Sequence, residues 1–270
     1  MKINYKTRKS HAWNEDRYII GTNFWIVIDG ATPLIKNGDM NLARYMVSYV
    51  KKNINRYGGR IRERLIKLSK DLFVELGIDS RDPAYLPTAS ISYVEEIDGK
   101  YYAGVLGDCE VTFITHDGEI IRCFAEDLSK LDHISKCELE NEAKKHHVSI
   151  REARKHITDI LIKNRRLINQ DGGYQGYTVS PNLTFREVSC LVDKERVKEI
   201  YLYSDGFSAS FQCFDIYPNH QEMFKNTLDI ELETKRIVEV AFRDKDCNKY
   251  HRFKKIDDIT VIQICTDAKL

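Results

Sequence analysis

Phe24-Trp25-Ile26-Val27-Ile28-Asp29-Gly30 and Ile200-Tyr201-Leu202-Tyr203-Ser204-Asp205-Gly206 decide how this chain is to be read. Each is a short, unbroken apolar run that ends in an acidic step, the pattern of a buried strand delivering a carboxylate to its end. A third acidic pair, Asp257-Asp258, opens the run Ile259-Thr260-Val261-Ile262-Gln263-Ile264. A fold that joins such strands gathers oxygen donors in one place, and oxygen donors suit hard divalent cations.

Working outward, residues 17–20 and 24–28 form a hairpin over the turn Gly21-Thr22-Asn23. Leu42, Tyr45, Met46, Tyr49, Val50 and Ile54 recur at helical spacing, which predicts a helix from 39 to about 57 with Asp39 as its N-cap. Gly58-Gly59 ends it, and a second helix follows from 60 to 76, stopped by Gly77. Residues 88–94, 101–106, 111–114 and 120–124 are rich in β-branched and aromatic side chains and read as an antiparallel meander. Residues 138–168 read as a charged helical region, followed by an irregular loop at Gly172-Gly173 and Gly176. Strands at 183–191 and 197–203, a helix at 221–243 and a strand at 259–265 complete the chain. Hairpins in place of regular βαβ alternation give the class α+β with antiparallel sheets.

Five Asp-Gly steps occur, at 29, 98, 117, 171 and 205. Those at 98 and 117 separate strand-like runs and read as type I′ turns. Asp171 lies in a glycine-rich loop and is assigned nothing. Asp29 and Asp205 stand apart, because an apolar run precedes each and no paired strand follows at once.

Composition closes off other classes. The chain has 270 residues, 42 basic against 41 acidic, so it lacks the positive field of a nucleic-acid binder. Its seven cysteines are scattered and never spaced C-x-x-C, which predicts reduced thiols, and there is neither an apolar leader nor a membrane-length apolar run. The expectation is a soluble cytoplasmic protein with no membrane or nucleic-acid partner; its oligomeric state is open. His146, His147 and His156 fall in the charged helical region and read as solvated or capping residues.

Taken in order, Asn14-Glu15-Asp16, Val27-Ile28-Asp29-Gly30, Pro87-Thr88-Ala89-Ser90, Leu106-Gly107-Asp108-Cys109, Tyr203-Ser204-Asp205-Gly206 and Asp257-Asp258-Ile259-Thr260 span most of the chain. This succession resembles the metal-dependent serine/threonine protein phosphatases of type 2C, as a divergent, bacterial-like member. The resemblance implies a four-layer αββα sandwich of two antiparallel sheets flanked by helix pairs, formed by one domain over 1–270 with a helical or flap insertion at about 128–182.

It also implies two Mg²⁺ or Mn²⁺ ions, with Asp29 bridging, Gly30 offering its carbonyl, Asp205 and Asp257 completing one ion, and Asp16 with Glu15 serving the other. Asp108 is the candidate ligand for a third ion. The implied chemistry is hydrolysis of phosphoserine or phosphothreonine in a protein by a metal-bridging hydroxide, with Asp29, Asp205 and Asp257 as the catalytic residues. No cysteine nucleophile is required.

Departures from the pattern fall around the phosphate. His11 stands where an arginine is common, leaving Arg8 and His11 as candidate phosphate ligands. Ala31-Thr32-Pro33 replaces a glycine-rich continuation, Cys109 replaces a serine, and Asp127-Leu128-Ser129 stands where Asp-His-Ser is frequent. The alternatives left open are a catalytically weak or inactive phosphatase-like regulatory binding module, and a phosphatase of a small phosphorylated molecule.

Overall fold

The computed structural model describes residues 1–35, 38, 40–77 and 82–266. Two antiparallel sheets lie face to face. One has the order β1 (Lys2–Arg8), β11 (Ile259–Cys265), β10 (Val197–Tyr203), β6 (Glu110–Thr115) and β7 (Ile120–Cys123). The other runs β2 (Asp16–Ile20), β3 (Phe24–Ala31), β4 (Thr88–Ile97), β5 (Lys100–Leu106) and β9 (Val188–Asp193), with the short β8 (Tyr177–Thr178) pairing with β4.

The unbroken apolar runs are explained by burial on both faces. On β3, Trp25 and Val27 point into the layer between the sheets, whereas Ile26 and Ile28 pack against α1 (Leu42–Asn53) and α2 (Ile61–Leu76). On β10, Ile200 and Leu202 fill the inter-sheet layer, while Tyr201 and Tyr203 face α6 (Asp205–Gln212), α7 (His220–Phe224) and α8 (Ile230–Arg243). A strand covered on both sides has no need of polar alternation. The result is the αββα sandwich that the resemblance implied.

Several local expectations change. Lys2–Arg8 is an edge strand paired along its whole length with β11; its lysines and arginine hide an alternation that is only half apolar. The predicted helix at 138–168 is α3 (Asp127–His146), α4 (Ile150–Ala153) and α5 (Thr158–Arg165), broken where His147 takes a left-handed cap and Ser149 opens a capping box with Glu152. The strand placed at 183–191 begins only at Val188, since Leu183 and Phe185 are buried against the α1–α2 side from a loop.

The helix predicted at 221–243 is split into α7 and α8, each opened by its own cap, Asn219 and Asp229. Asn41 caps α1 by accepting from the Arg44 N–H, while Asp39 lies outside the described residues. Asp98 and Gly99 both have positive φ, as a type I′ turn requires; at the next hairpin only Gly118 does, so a wider turn closes it. All seven cysteines are free, and among the described residues no helix is long and apolar enough to cross a membrane.

Candidate metal site

The two sheets bring several strand ends to one edge of the sandwich. Asp16 opens β2 and Asp29 nears the end of β3, and the two are direct cross-strand partners. Asp29 also lies opposite Ser90 of β4. The β5–β6 turn carries Asp108 to the same place: its N–H donates to Ser90 Oγ at 3.2 Å. Gly107 permits this approach, with φ +69 and a position where a Cβ would stand 2.1 Å from Ser90 Oγ.

The other sheet contributes Asp205, the first residue of α6, and Asp257, just before β11. Gly206 lets the two ends meet, since a Cβ there would stand 2.0 Å from the Asp258 carbonyl oxygen. Ser204 ties the sheets together: its hydroxyl donates to Asp16 Oδ2 at 3.0 Å and accepts from the Thr260 N–H at 3.0 Å.

Crowding and burial act on these carboxyls together. Asp16 is buried and its carboxyl is pushed up to about 7, first by burial and then by Asp258 and Asp257. Asp29 is raised well above the usual carboxylate range by burial and by Asp16, Asp205, Asp257 and Asp108, which makes it the hub of the cluster. Asp205 is raised well above that range by burial, then Asp257 and Asp108, and Asp108 is raised chiefly by burial. The buried Cys109 thiol is pushed up by burial and by Asp29, Asp108, Asp16 and Asp205.

The cluster fits a hard cation. Its donors are oxygens only, and Asp16 Oδ1 and Asp205 Oδ1 are buried without any hydrogen-bond partner. Like-charged groups packed this closely, with acceptors left open, are satisfied by positive charge. The arrangement is nevertheless open. Among the described residues, the group of His, Cys, Asp or Glu with ligand atoms mutually within 4.8 Å is Glu142 and His146 at the C-terminal end of α3 with His156 just after α4. There the two rings stack at 4.0 Å and 6°, so their in-plane lone pairs run side by side and do not converge.

The remaining residues that the sequence nominates take different places. Glu15 is engaged away from the cluster, its Oε1 accepting from Thr32 Oγ1 at 2.6 Å and Asn41 Nδ2 at 2.7 Å. Gly30 is buried in β3 and its N–H donates to the Glu15 carbonyl at 3.2 Å. His11 is exposed, 2.6 Å from Ser10 Oγ, and Arg8 ends β1; among the described residues neither forms a hydrogen bond or ion pair with a site carboxylate.

Asp258 is a structural acid. It accepts from the Ser10 N–H at 2.6 Å, the Ser10 hydroxyl at 2.8 Å and the Glu15 N–H at 2.6 Å, and so holds the 10–15 loop. Two residues have no signal in spacing. Asp132 of α3 is raised to about 7 by burial and then by Asp108, so the first turns of this helix lie near Asp108. Lys254 holds Asp257, with Nζ 2.8 Å from Oδ1 and 2.7 Å from Oδ2. Arg165 of α5 donates to the Thr32 carbonyl at 3.5 Å, joining the helical segment to the loop after Gly30.

Metal-free protein should therefore lose stability as pH rises. The Asp16 carboxyl, near 7 in the folded chain against 3.8 as its ordinary value, keeps a proton that the unfolded chain releases in between. Folded protein binds the extra proton, so stability falls by about 1–4 kcal/mol from pH 4 to pH 8 on the linkage scale. Urea midpoints in EDTA should be lower at pH 8 than at pH 5, and midpoints that rise over this interval would contradict the arrangement.

No protein family and no curated protein sequence matches the chain. Solved structures do. A bacterial serine phosphatase superposes with TM-score 0.58 at 12% identity, covering 100% of this chain and 99% of that one. The serine/threonine phosphatase Stp1 from Staphylococcus aureus gives 0.58 at 12%, covering 99% and 95%. The catalytic domain of the serine/threonine protein phosphatase PstP, solved with two manganese ions, gives 0.55 at 13%, covering 97% and 96%. The chain has the fold of these bacterial phosphatases over essentially its full length.

Proposed function

We propose that this chain is a metal-dependent phosphatase that hydrolyses phosphoserine or phosphothreonine in proteins. One observation carries the reading: Asp16, Asp29, Asp108 and Asp205, from separate parts of the sequence, lie together at one edge of the sandwich, with two buried oxygens lacking any partner. The phosphatases that share the fold, one of them holding two manganese ions, support the reaction class.

Asp29, Asp205 and Asp257 would hold divalent Mg²⁺ or Mn²⁺, Asp16 and the Gly30 carbonyl would serve the ion nearer β2, and Asp108 would serve a further one. Bound there, such ions make water acidic enough to act as a nucleophile at neutral pH and neutralise the phosphate's charge. The chain's own part is positional. Ser204 orients Asp16, Ser90 fixes the Asp108 turn, and Asp258 anchors the loop that carries Asp16 toward Asp29. Water attacks phosphorus, the ester oxygen leaves with a proton, and inorganic phosphate and the free hydroxyl are the products.

The experiment is hydrolysis of a phosphoserine peptide and of an aryl phosphate with Mn²⁺, with EDTA, and with Mn²⁺ restored. Turnover that requires Mn²⁺ is expected. The engagement of Asp257 by Lys254 favours the regulatory module as second reading. Calorimetric Mn²⁺ binding without turnover on either substrate would select it. A soluble cytoplasmic setting accords with the free cysteines.

A further inference from the structure

Lys254 lies three residues before Asp257 in the segment between α8 and β11. Its ammonium contacts both oxygens of Asp257, at 2.8 and 2.7 Å, and the Asp258 N–H donates to Oδ1 at 2.9 Å. The Asp257 carboxylate thus has both oxygens engaged. Among the described residues Lys254 is the one cation ion-paired with a carboxylate of the cluster, and its charge also bears on Asp29 and Asp205. Asp108 and Asp132 feel it as well. Its side chain is 46% exposed against 25% for Asp257, so it reaches the site from the solvent side.

A carboxylate oxygen that receives an ammonium hydrogen bond presents the same lone pairs that a divalent ion requires. A doubly charged ion and an ammonium a few ångströms apart also repel each other. We infer that Lys254 is a built-in competitor for the divalent ion that Asp257 would hold. That ion enters as the ammonium swings out to solvent, which the half-exposed stem permits. The inference rests on the cluster being a metal site, and it orders the loading. The ion served by Asp29 and Asp16 binds first and tightly, whereas the one that needs Asp205 and Asp257 binds second and more weakly. Lys254 therefore sets the divalent-ion concentration at which the site is complete.

The test is Mn²⁺ titration by calorimetry, with bound ions counted by electron paramagnetic resonance, on wild-type protein, Lys254→Met and Lys254→Arg. Methionine keeps the stem without the charge, and arginine keeps the charge. The weaker Mn²⁺ site should tighten about tenfold or more in Lys254→Met, the scale of one ion pair with its repulsion removed. Lys254→Arg should stay close to wild type. Unfolding in EDTA checks that the variants fold, and Lys254→Gln, read in the same way, replaces a methionine variant that does not. Equal Mn²⁺ affinities and stoichiometries in all proteins would overturn the competitor and leave the metal site standing. No Mn²⁺ bound by any of them would overturn both.

Discussion

Asp29→Asn should lower Mn²⁺-dependent phosphoester hydrolysis by about 10³-fold or more, a loss of about 4 kcal/mol in transition-state stabilisation. Four other carboxyls, Asp16, Asp205, Asp257 and Asp108, act on Asp29, so it is the residue best placed to share cations between the two sheets. Asparagine keeps the shape and one oxygen but removes the charge, and a neutral amide is a poor ligand for a hard divalent ion. The same substitution should raise the unfolding midpoint of metal-free protein at pH 8, because it relieves repulsion among buried like charges. Lost activity with gained stability separates a functional acid from a structural one. Asp98→Asn, in a tight turn that tolerates asparagine, should change neither. Wild-type rates in Asp29→Asn would remove the basis for the site.

Arg252→Ala should destabilise the chain by about 3–5 kcal/mol, the cost of leaving a buried charge without its partner. Arg252 is 8% exposed; its guanidinium donates to Asp244 Oδ2 at 2.7 Å and to the carbonyls of Tyr250, Lys255, Ala241 and Asp244. It stacks over Phe214 at 5.1 Å and so closes the 244–256 segment onto the helical layer. Lys254 is carried on that segment, and Asp257 directly follows it. A weaker second Mn²⁺ should therefore accompany the lower urea midpoint. A variant with wild-type stability and wild-type Mn²⁺ affinity would show that the segment is held by other means.

Much of this architecture is legible because double-sided burial writes itself into sequence. β3 and β10 read as unbroken apolar runs because both of their faces are covered, and the acids Asp29 and Asp205 follow those runs closely. β1 is not legible, since an edge strand needs only one apolar side and Lys2, Lys6 and Arg8 obscure it. The helical segment 127–165 reads as a single piece that starts too late, because its breaks depend on caps at His147 and Ser149 that charged periodicity does not reveal.

In the site, acids at strand ends carry a signal, but their partners do not. Nothing in the spacing marks Asp258 as the anchor of Ser10 and Glu15, Asp132 as the acid beside Asp108, or Lys254 as the cation on Asp257. Each role is created by tertiary approach.

Crystals grown with Mn²⁺ and measured at the manganese absorption edge test the central claim most directly. Anomalous peaks among Asp29, Asp205, Asp16 and Asp257, with Lys254 turned away from Asp257, are the predicted result. A well-ordered structure with no anomalous density there, or with density only at Glu142, His146 and His156, would contradict it.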